Sequence, residues 1–365
     1  MPRFLQISNF YPDYLGDFYA ARPHLATAPY DVQMNAILDD NFAGAHTFTR
    51  ALQPHGFETL FVLANNPHMQ RAWLKEKGIQ IDESAVCLQA TLAQIAMFDP
   101  DIFYTTDVIT FHAGFFRAVK KRPPLIVGWR GFPITAGTDL SFYDLILSSF
   151  DRMFTEAKQH GAHQVERFHP GFPEDWAVAH EPRKIEYDVV FSGSVTREHL
   201  RRIELLNVIA DMSRDPLQGF KFGVFIARDQ MLSPLVQSLN QGARWSQDML
   251  RVMRNARITI NIDVDSFAGQ PPNMRLIEAT GAGAFLLTSH HPELAHFFEP
   301  GAEIDTFRTP QELLSKIGYY LTFPERADEI ALAGQARCME DHSVSKRAAW
   351  LADILKSALA RKQAA

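Results

Sequence analysis

The sequence is poor in cysteine, has no long apolar run and carries no excess of basic residues. Its 365 residues include only two cysteines, Cys87 and Cys338, which are too few and too far apart for a disulfide framework or a thiolate metal site. No segment approaches the roughly 18 consecutive apolar residues that a membrane-spanning helix needs. The net charge of −6 has the opposite sign to the footprint of nucleic-acid-binding proteins. We therefore expect neither a transmembrane segment nor a nucleic-acid partner.

Three widespread functional motifs are also absent from the sequence. There is no G-x-G-x-x-G dinucleotide fingerprint, no phosphate-binding Walker loop and no G-x-S-x-G nucleophile elbow. Without the glycine fingerprint, a nicotinamide-dependent dehydrogenase is a poor interpretation of this chain.

The two ends of the sequence carry no clear targeting signal. The N-terminal stretch "MPRFLQISNFYPDYLG" has no basic region followed by a long apolar run, so we expect no signal peptide and a cytoplasmic location. The C-terminal stretch "KSALARKQAA" is basic and compatible with peripheral contact to a membrane surface. A solvated, fraying helix end is the simpler interpretation of this stretch.

What the sequence does contain is a regular alternation of short β-rich runs and helical stretches. The strand candidates of the first half are "RFLQIS", "FETLFVLAN", "PDIFYTT", "PPLIVGWRG" and "YDLILSS". Those of the second half are "YDVVFSGS", "FKFGVFIA", "RITINIDV", "AFLLT" and "EIDTF". This alternation is typical of parallel α/β layers. We predict an α/β protein with two Rossmann-like, doubly wound domains that face each other across a cleft.

A proline-rich stretch of mixed charge, without clear periodicity, separates the two halves. We predict an N-terminal domain over residues 1–172, a linker over 173–186 and a C-terminal domain over 187–340. A C-terminal helix over 341–365 would be able to pack back toward the N-terminal domain. Because α/β domains bind ligands at the carboxyl ends of their strands, the cleft is the expected binding site.

The first candidate site is the turn that follows "YDVVF". Gly193 allows the backbone to approach a ligand closely, and a helix is expected to begin near Thr196, capped by Thr196 or Ser194. A helix N-terminus offers unpaired N–H groups and a positive dipole end to phosphate. Three arginines follow and add positive charge: Arg197, Arg201 and Arg202. The alternative is an ordinary strand–turn–helix with a solvated basic face.

The second candidate site is the segment "PPNMRLIEATGAGAFLLT", in which polar groups stand at the front of an otherwise apolar helix. Glu278 suits a vicinal diol, because a carboxylate accepts two hydroxyl hydrogen bonds. Arg275 suits a phosphate or a packed carboxylate, and Asn273 can cap the helix or bind a ligand beside Met274. The alternative is an Arg275–Glu278 pair, three residues apart, whose members satisfy only each other.

Two acids near the end of a predicted strand, Asp263 and Asp265, form an Asp-x-Asp pattern that could hold a divalent metal. A two-residue match is weak, and we favour strand-end acids that face the cleft or solvent. The first half offers candidates for an acceptor site or a general base after its first, third and fourth strands. They are Asp13, Gly16, Asp17, Asp107, His112 and Arg130. For each one alone, a helix cap or a surface residue is the alternative.

The segment that begins at Pro271 resembles the C-terminal domain of GT-B glycosyltransferases. It is similar in particular to the glycosyltransferase group 1 branch that includes CgeB-like spore maturation proteins. The matching features are the Asn-x-Arg-x-x-Glu helix, the small-residue turn, "FFEPG", the Pro-Gln-Glu-Leu helix and "ALAGQAR" followed by His342. The stretch "DVVFSGSVTREHLRRIELL" extends the resemblance, whereas the first half matches mainly in architecture.

The resemblance implies a transferase that moves a sugar from a nucleotide-diphosphate-sugar to a glycan, lipid or protein acceptor, without a metal or another cofactor. It implies that Glu278 holds the ribose hydroxyls and that the Gly193-Ser194 turn meets the diphosphate. Asn273 and Arg275 would then line the sugar–phosphate side. In one departure, Gln270 stands where many group 1 enzymes carry a first glutamate, eight positions before the second.

The mechanism stays open between two schemes. An inverting enzyme needs a base for the acceptor hydroxyl, and the candidates are Asp13, Asp17, Asp107 and His112. A retaining enzyme of this fold is thought to let the departing phosphate accept that proton, and the resemblance favours retention. A nucleotide-sugar 2-epimerase with the same fold and a non-catalytic nucleotide-sugar-binding protein are the rival interpretations.

Overall fold

The structure is a computed structural model that describes residues 1–44, 47–217, 219–263, 265 and 274–364. It divides into two compact units, each built around its own parallel sheet. The first unit combines Met1–His169 with Val344–Ala365, and the second unit is Pro170–Ser343.

The first unit contains a six-stranded parallel sheet. Its strands are β1 (Arg3–Ser8), β2 (Glu58–Leu63), β3 (Ile102–Thr105), β4 (Leu125–Trp129), β5 (Leu145–Ser148) and β6 (Gln164–Arg167). Their order in the sheet is β2-β1-β3-β4-β5-β6. The central strands β3 and β5 are buried throughout, as parallel strands covered on both faces should be. The short edge strand β6 is partly exposed and was not predicted.

Helices cover this sheet and connect its strands. They are α1 (Pro12–Ala21), α2 (Tyr30–Asp40), α3 (Thr47–Ala51), α4 (Pro67–Glu76), α5 (Val86–Phe98), α6 (Ala113–Phe116) and α7 (Asp151–Gln159). Local chemistry accounts for the start of α4, where the Asn66 side chain accepts a hydrogen bond from the N–H of Met69 and Pro67 occupies the first turn.

The second unit has a five-stranded parallel sheet with the order β11-β10-β9-β7-β8. Its strands are β7 (Tyr187–Ser192), β8 (Phe222–Phe225), β9 (Ala256–Asn261), β10 (Leu286–Ser289) and β11 (Asp305–Phe307). Its helices are α8 (Leu200–Ser213), α9 (Pro234–Leu239), α10 (Ser246–Arg254), α11 (Met274–Gly281), α12 (Pro310–Thr322) and α13 (Pro324–Asp341). Successive residues of β10 pack into different cores, Leu287 with α8 and α12 and Leu286 with α10 and α11, so helices cover both faces.

The proline-rich segment expected to be a linker is part of the second unit. Trp176 and Val178 are buried in the core that contains α10 and α11, and the ring of Trp176 lies against that of Phe172. The segment looked like a linker because its prolines interrupt any period, although it also contains apolar residues that need burial.

The last helix, α14 (Val344–Ala364), belongs to the first unit. Leu351 and Leu355 are fully buried in the first unit's core, and the indole of Trp350 packs on Phe168. Near its end, Lys362 Nζ lies 2.6 Å from the buried carboxylate of Asp144. The two ends of the sequence therefore build one unit.

Each sheet has a topological switch point, where connections leave in opposite directions. The switch lies between β1 and β3 in the first sheet and between β7 and β9 in the second, and ligands of such sheets bind at the carboxyl ends of these strands. The prediction of two doubly wound α/β domains is confirmed. Within the described residues, no helix is both long and apolar enough to cross a membrane.

Candidate active site

The turn after β7 is held by internal hydrogen bonds and leads to a later helix start than the sequence suggested. Helix α8 begins at Leu200, so neither Ser194 nor Thr196 is its N-cap. Thr196 Oγ1 accepts from the N–H of Glu198, and His199 Nδ1 accepts from the N–H of Thr196 at 3.1 Å. Burial, reinforced by the positive charge of Arg202, lowers the pKa of His199 to about 4, so this imidazole is neutral at pH 7.

The N-terminus of α8 binds a carboxylate of this same chain. Asp265 Oδ2 accepts from the N–H of Leu200 at 2.6 Å, and both carboxylate oxygens lie 3.3 Å from the N–H of Arg201. A negative group at this position is stabilised by the unpaired N–H groups and by the helix dipole. In this structure the first N–H groups of α8 are therefore occupied by a carboxylate of the chain itself, and phosphate binding at this turn stays a prediction.

The three arginines near this turn have different environments. Arg197 and Arg201 are exposed, and Arg201 Nη2 donates to the carbonyl of Arg308 at 2.9 Å. Arg202 is buried and donates to the carbonyls of Ser194 and Ile262, and burial lowers its pKa to about 10. Arg202 thus joins the ends of β7 and β9, while the other two present charge at the surface. Gly193 is half-buried and Ser194 is exposed beside them.

Arg275 and Glu278 form the pair that the alternative interpretation required. Arg275 Nη1 lies 2.9 Å from Glu278 Oε2, and the two side chains are 16% and 18% exposed. Arg275 Nη1 also lies 3.0 Å from Met249 Sδ. The shortest contact of this ion pair uses Oε2 of Glu278, and the Glu278 side chain remains partly exposed. Met274 is the half-buried first residue of α11, whereas Asn273 and Gln270 lie outside the described residues.

Asp263 follows β9 at the switch point and is half-buried. Burial raises its pKa to about 6, although His291 and Arg202 oppose this rise. Asp265 caps α8, so the two acids of the Asp-x-Asp pattern have different surroundings. Within the described part of the chain, no group of three or more His, Cys, Asp or Glu side chains could hold a metal ion.

Two histidines follow β10 at the carboxyl edge of the second sheet. They were not among the predicted residues. His291 is 4% exposed, and its Nδ1 accepts from the N–H of Glu293 at 3.0 Å. His290 Nε2 lies 2.7 Å from Arg308 Nη2. Their signal in the sequence is the polar run "SHHPE" directly after the predicted strand "AFLLT", at the carboxyl end where ligands of α/β sheets bind.

In the first unit, Asp107 lies at the switch point. Asn9, which follows β1, donates through Nδ2 to Asp107 Oδ2 at 2.8 Å, and the N–H of Thr110 donates to Oδ1 at 3.1 Å. Asp107 is half-buried, and its charge acts on the guanidinium of Arg130. Asn9 was not predicted, although it directly follows a recognised strand.

The remaining candidates of the first unit have structural roles or exposed positions. His112 caps the short helix α6, because its Nδ1 accepts from the N–H of Gly114 at 3.2 Å. Arg130 donates to the carbonyls of Phe132 and Pro133, both at 2.6 Å, and burial lowers its pKa. Three further candidates are exposed on α1: Asp13, Gly16 and Asp17. The structure thus brings Asp107 and Arg130 to one sheet edge and leaves His112 engaged with its own helix.

One family model matches part of the chain. Residues 205–353 match the family described as "Glycosyl transferase-like". This segment contains Asp263, Glu278 and His291, but it excludes the turn after β7 and every candidate of the first unit. No curated protein sequence matches the chain.

Solved structures match over nearly the whole chain at low identity. Sucrose-phosphate synthase from Thermosynechococcus elongatus is 13% identical, with a TM-score of 0.58, over 99% of this chain and 100% of that one. The Anabaena protein Alr3699/HepE in complex with UDP-glucose is 12% identical, with a TM-score of 0.59, over 98% and 100%. A glycosyltransferase from Rickettsia africae is 11% identical, with a TM-score of 0.57, over 98% of each chain. These similarities confirm the GT-B fold.

Proposed function

We propose that this protein is a glycosyltransferase that moves a sugar from a nucleotide-diphosphate-sugar donor to a glycan, lipid or protein acceptor. The observation that carries the proposal is the environment of Glu278 in α11. Its side chain is 18% exposed and pairs with Arg275 through Oε2, within the segment that matches a glycosyltransferase-like family. A ribose diol is a suitable partner for such a carboxylate, because each hydroxyl donates one hydrogen bond.

The diphosphate of the donor is assigned to the Gly193-Ser194 turn and the N-terminus of α8. There, backbone N–H groups and the exposed side chains of Arg197 and Arg201 would stabilise the negative charge that grows as the diphosphate leaves. A diphosphate that uses the first amides of α8 must displace the Asp265 carboxylate, because two anions cannot share these donors. Donor binding then includes the loss of the hydrogen bonds that Asp265 makes in the free protein.

The chemical step needs no metal in this scheme. Retention is the favoured course, with the departing phosphate accepting the proton of the acceptor hydroxyl, and Arg275 would line the sugar–phosphate side of the site together with Asn273 and Met274. Membership of the CgeB-like branch is part of the same proposal and rests on the sequence resemblance.

For the inverting alternative, Asp107 is the best-placed base, because it lies at the carboxyl edge of the first sheet and is half-buried. His112 is a weaker candidate, since the ring nitrogen that accepts hydrogen bonds is occupied by the N–H of Gly114. If the enzyme inverts, Asp107→Asn lowers turnover by about 10²-fold or more while donor binding stays intact. The inverting scheme is excluded if turnover is unchanged in all four single variants. These variants are Asp13→Asn, Asp17→Asn, Asp107→Asn and His112→Ala.

The donor site is tested with a thermal-shift panel of nucleoside diphosphates and nucleotide sugars. UDP and UDP-glucose come first, because UDP-glucose is bound in the Anabaena structure of the same fold. A ligand present at about 100 times its dissociation constant stabilises the folded protein by about 2.7 kcal/mol. Glu278→Ala should abolish the shift, whereas Glu325→Ala, at an exposed carboxylate of α13, should leave it unchanged.

A panel without any hit contradicts the proposal, and so does a shift that survives in Glu278→Ala. A hit is followed by incubation with the donor alone. Formation of an epimer under these conditions would identify a nucleotide-sugar epimerase, and binding without turnover on any acceptor would identify a binding protein.

A further inference from the structure

Two buried polar groups at the carboxyl end of β10 have no hydrogen-bond partner among the residues that the structure describes. They are Ser289 Oγ and His291 Nε2, and both residues are 4% exposed. The other ring nitrogen of His291, Nδ1, accepts from the N–H of Glu293. In the neutral ring the proton therefore resides on Nε2, which makes this atom a hydrogen-bond donor. Leaving such a donor buried without an acceptor costs free energy, and native proteins rarely do so without a reason.

A carboxylate lies at the end of the neighbouring strand. Strands β9 and β10 are paired through Asn261 and Thr288, whose side chains are joined by a hydrogen bond of 2.9 Å. Asp263 lies two residues beyond Asn261, and His291 lies three residues beyond Thr288, so both follow the carboxyl ends of neighbouring strands. A positive charge on His291 would lower the pKa of Asp263, which is consistent with the two side chains lying near each other. Among the described residues, the Asp263 carboxylate has no hydrogen-bond partner, although it is half-buried.

We propose that Asp263 and His291 together bind a hydroxyl group of the sugar carried by the donor. The carboxylate of Asp263 accepts the hydroxyl proton, and His291 Nε2–H donates to the hydroxyl oxygen. This assignment rests on the proposed function, and it names two specificity-determining residues that the donor-site prediction did not contain.

The chemistry of the pair selects a hydroxyl over a phosphate. A hydroxyl group both donates and accepts, so it satisfies an acceptor and a donor at once. A phosphate oxygen only accepts, and its negative charge would be repelled by Asp263 in surroundings of low dielectric constant. The phosphate-binding groups lie elsewhere on the same edge, at the N-terminus of α8 and at Arg201.

Specificity follows from the same two groups. A site whose buried polar groups need a hydroxyl discriminates strongly against a ligand that lacks it, because the groups are then left unpaired. The pair therefore contributes to the affinity for a nucleotide sugar and contributes nothing to the affinity for the nucleoside diphosphate alone.

The test compares the dissociation constants of UDP and UDP-glucose by calorimetry for the wild type and three variants. His291→Asn keeps an acceptor for the N–H of Glu293, because asparagine is a good N-cap, but it has no group at the position of Nε2. Asp263→Asn removes the charge of this side chain and keeps its size. His296→Asn is the matched control, because His296 is exposed and its ring contacts the side chain of Glu293.

We expect His291→Asn and Asp263→Asn each to weaken UDP-glucose binding about 10-fold or more and to change UDP binding less than about twofold. The double variant should lose less than the product of the two single losses, because both groups bind one hydroxyl. His296→Asn should bind both ligands like the wild type. If the panel selects another nucleotide, its diphosphate and its sugar derivative replace the two probes.

Equal weakening of both ligands, or unchanged binding of the nucleotide sugar in both variants, overturns this inference and leaves the glycosyltransferase proposal intact. In that case an internal water molecule is the acceptor for His291 Nε2. If the wild type binds neither a diphosphate nor its sugar derivative, the proposed function falls, and the assignment of Asp263 and His291 falls with it.

Discussion

At the scale of single residues, burial displaces three pKa values around the second sheet's carboxyl edge, each in the direction that disfavours charge. The pKa of Asp263 is raised to about 6, that of His199 is lowered to about 4 and that of Arg202 is lowered to about 10. A buried charged group lowers the stability of a folded protein unless an opposite charge or hydrogen bonds replace its lost hydration. Their concentration at one edge is typical of a binding site, where a ligand supplies the missing partners.

Asp263 should therefore reduce the stability of the ligand-free protein at neutral pH. Because its pKa is about 6 in the folded state and about 3.9 in an unfolded chain, the folded state binds more protons between these values. Stability from this group is thus present at low pH and is lost as the pH rises through about 6. We expect Asp263→Asn to raise the free energy of unfolding by about 1–3 kcal/mol at pH 7.5, and denaturant titrations at several pH values measure this gain.

The stability gain of Asp263→Asn should shrink as the pH falls and vanish below about 3, where Asp263 is protonated in both the folded and the unfolded state. His199 provides a control of opposite sign, since its folded pKa of about 4 lies below the ordinary value. Its contribution makes the protein less stable as the pH falls from about 6.5 to about 4, and His199→Asn should remove that slope. A loss of stability in Asp263→Asn at pH 7.5 would show that the carboxylate has a stabilising partner.

At the scale of elements, helix α13 of the second unit depends on a glycine for its close approach to the backbone of the segment before β11. A Cβ atom at Gly334, in the middle of α13, would overlap the backbone carbonyl of Glu303. Gly318, in α12, has only Met212 Cε near its Cβ direction, at 3.9 Å. The same substitution should therefore have opposite effects in these two helices.

We expect Gly334→Ala to lower the free energy of unfolding by about 1–3 kcal/mol, because a backbone carbonyl cannot move aside without shifting its turn. Gly318→Ala should raise it by about 0.5–1 kcal/mol, since alanine favours the helix and meets only ordinary contacts. Chemical denaturation of both variants provides the comparison. Similar effects of the two substitutions would contradict the packing described for α13.

At the scale of the whole molecule, the chain passes through the second unit and returns, so that α14 completes the first. Asp144 holds the C-terminal helix on the first unit. This residue is buried, and its carboxylate accepts from the N–H of Ile126 at 2.8 Å. Its carboxylate also lies 2.9 Å from Arg122 Nη2 and 2.6 Å from Lys362 Nζ. One acid thus links β4, the loop before it and the C-terminal helix.

Asp144→Ala should destabilise the first unit by about 2–4 kcal/mol, because it leaves the N–H of Ile126 and two cations without their acceptor. Lys362→Met should cost at most about 1 kcal/mol, since this lysine is 37% exposed and Arg122 remains on the carboxylate. Hydrogen exchange can be read separately for β4 and β9, because the two units need not unfold together. Equal loss of protection in both strands would contradict a local role for Asp144.

Local patterns in the sequence were sufficient for many elements. The run "RFLQIS" predicted β1 at its observed bounds, and the helix that begins at Pro67 was recognised from its proline and its terminal glycine. The start of α8 was predicted four residues too early, because its first N–H groups are capped by Asp265, which lies 65 residues later in the chain. The strand β6 was missed because it is a short, partly exposed edge strand.

For the candidate site, too, the sequence predicted some features and not others. Gly193, Asp107 and Glu278 were selected because they follow strands or begin a helix, and the structure places them at the carboxyl edges or near a helix start. The sequence could not decide between a ligand and an ion pair for Arg275 and Glu278, and it could not predict that Nε2 of His291 has no partner among the described residues. Both depend on side-chain positions that the pattern of residue types does not specify.

By itself, the sequence determined the alternation of strands and helices, and with it the fold class, because these patterns depend on residues a few positions apart. Only the tertiary structure decided that the proline-rich segment packs into the second unit, that α14 completes the first, and which ionisable groups at the sheet edges are buried. Burial and pairing depend on atoms that are distant along the chain and become neighbours only when it folds.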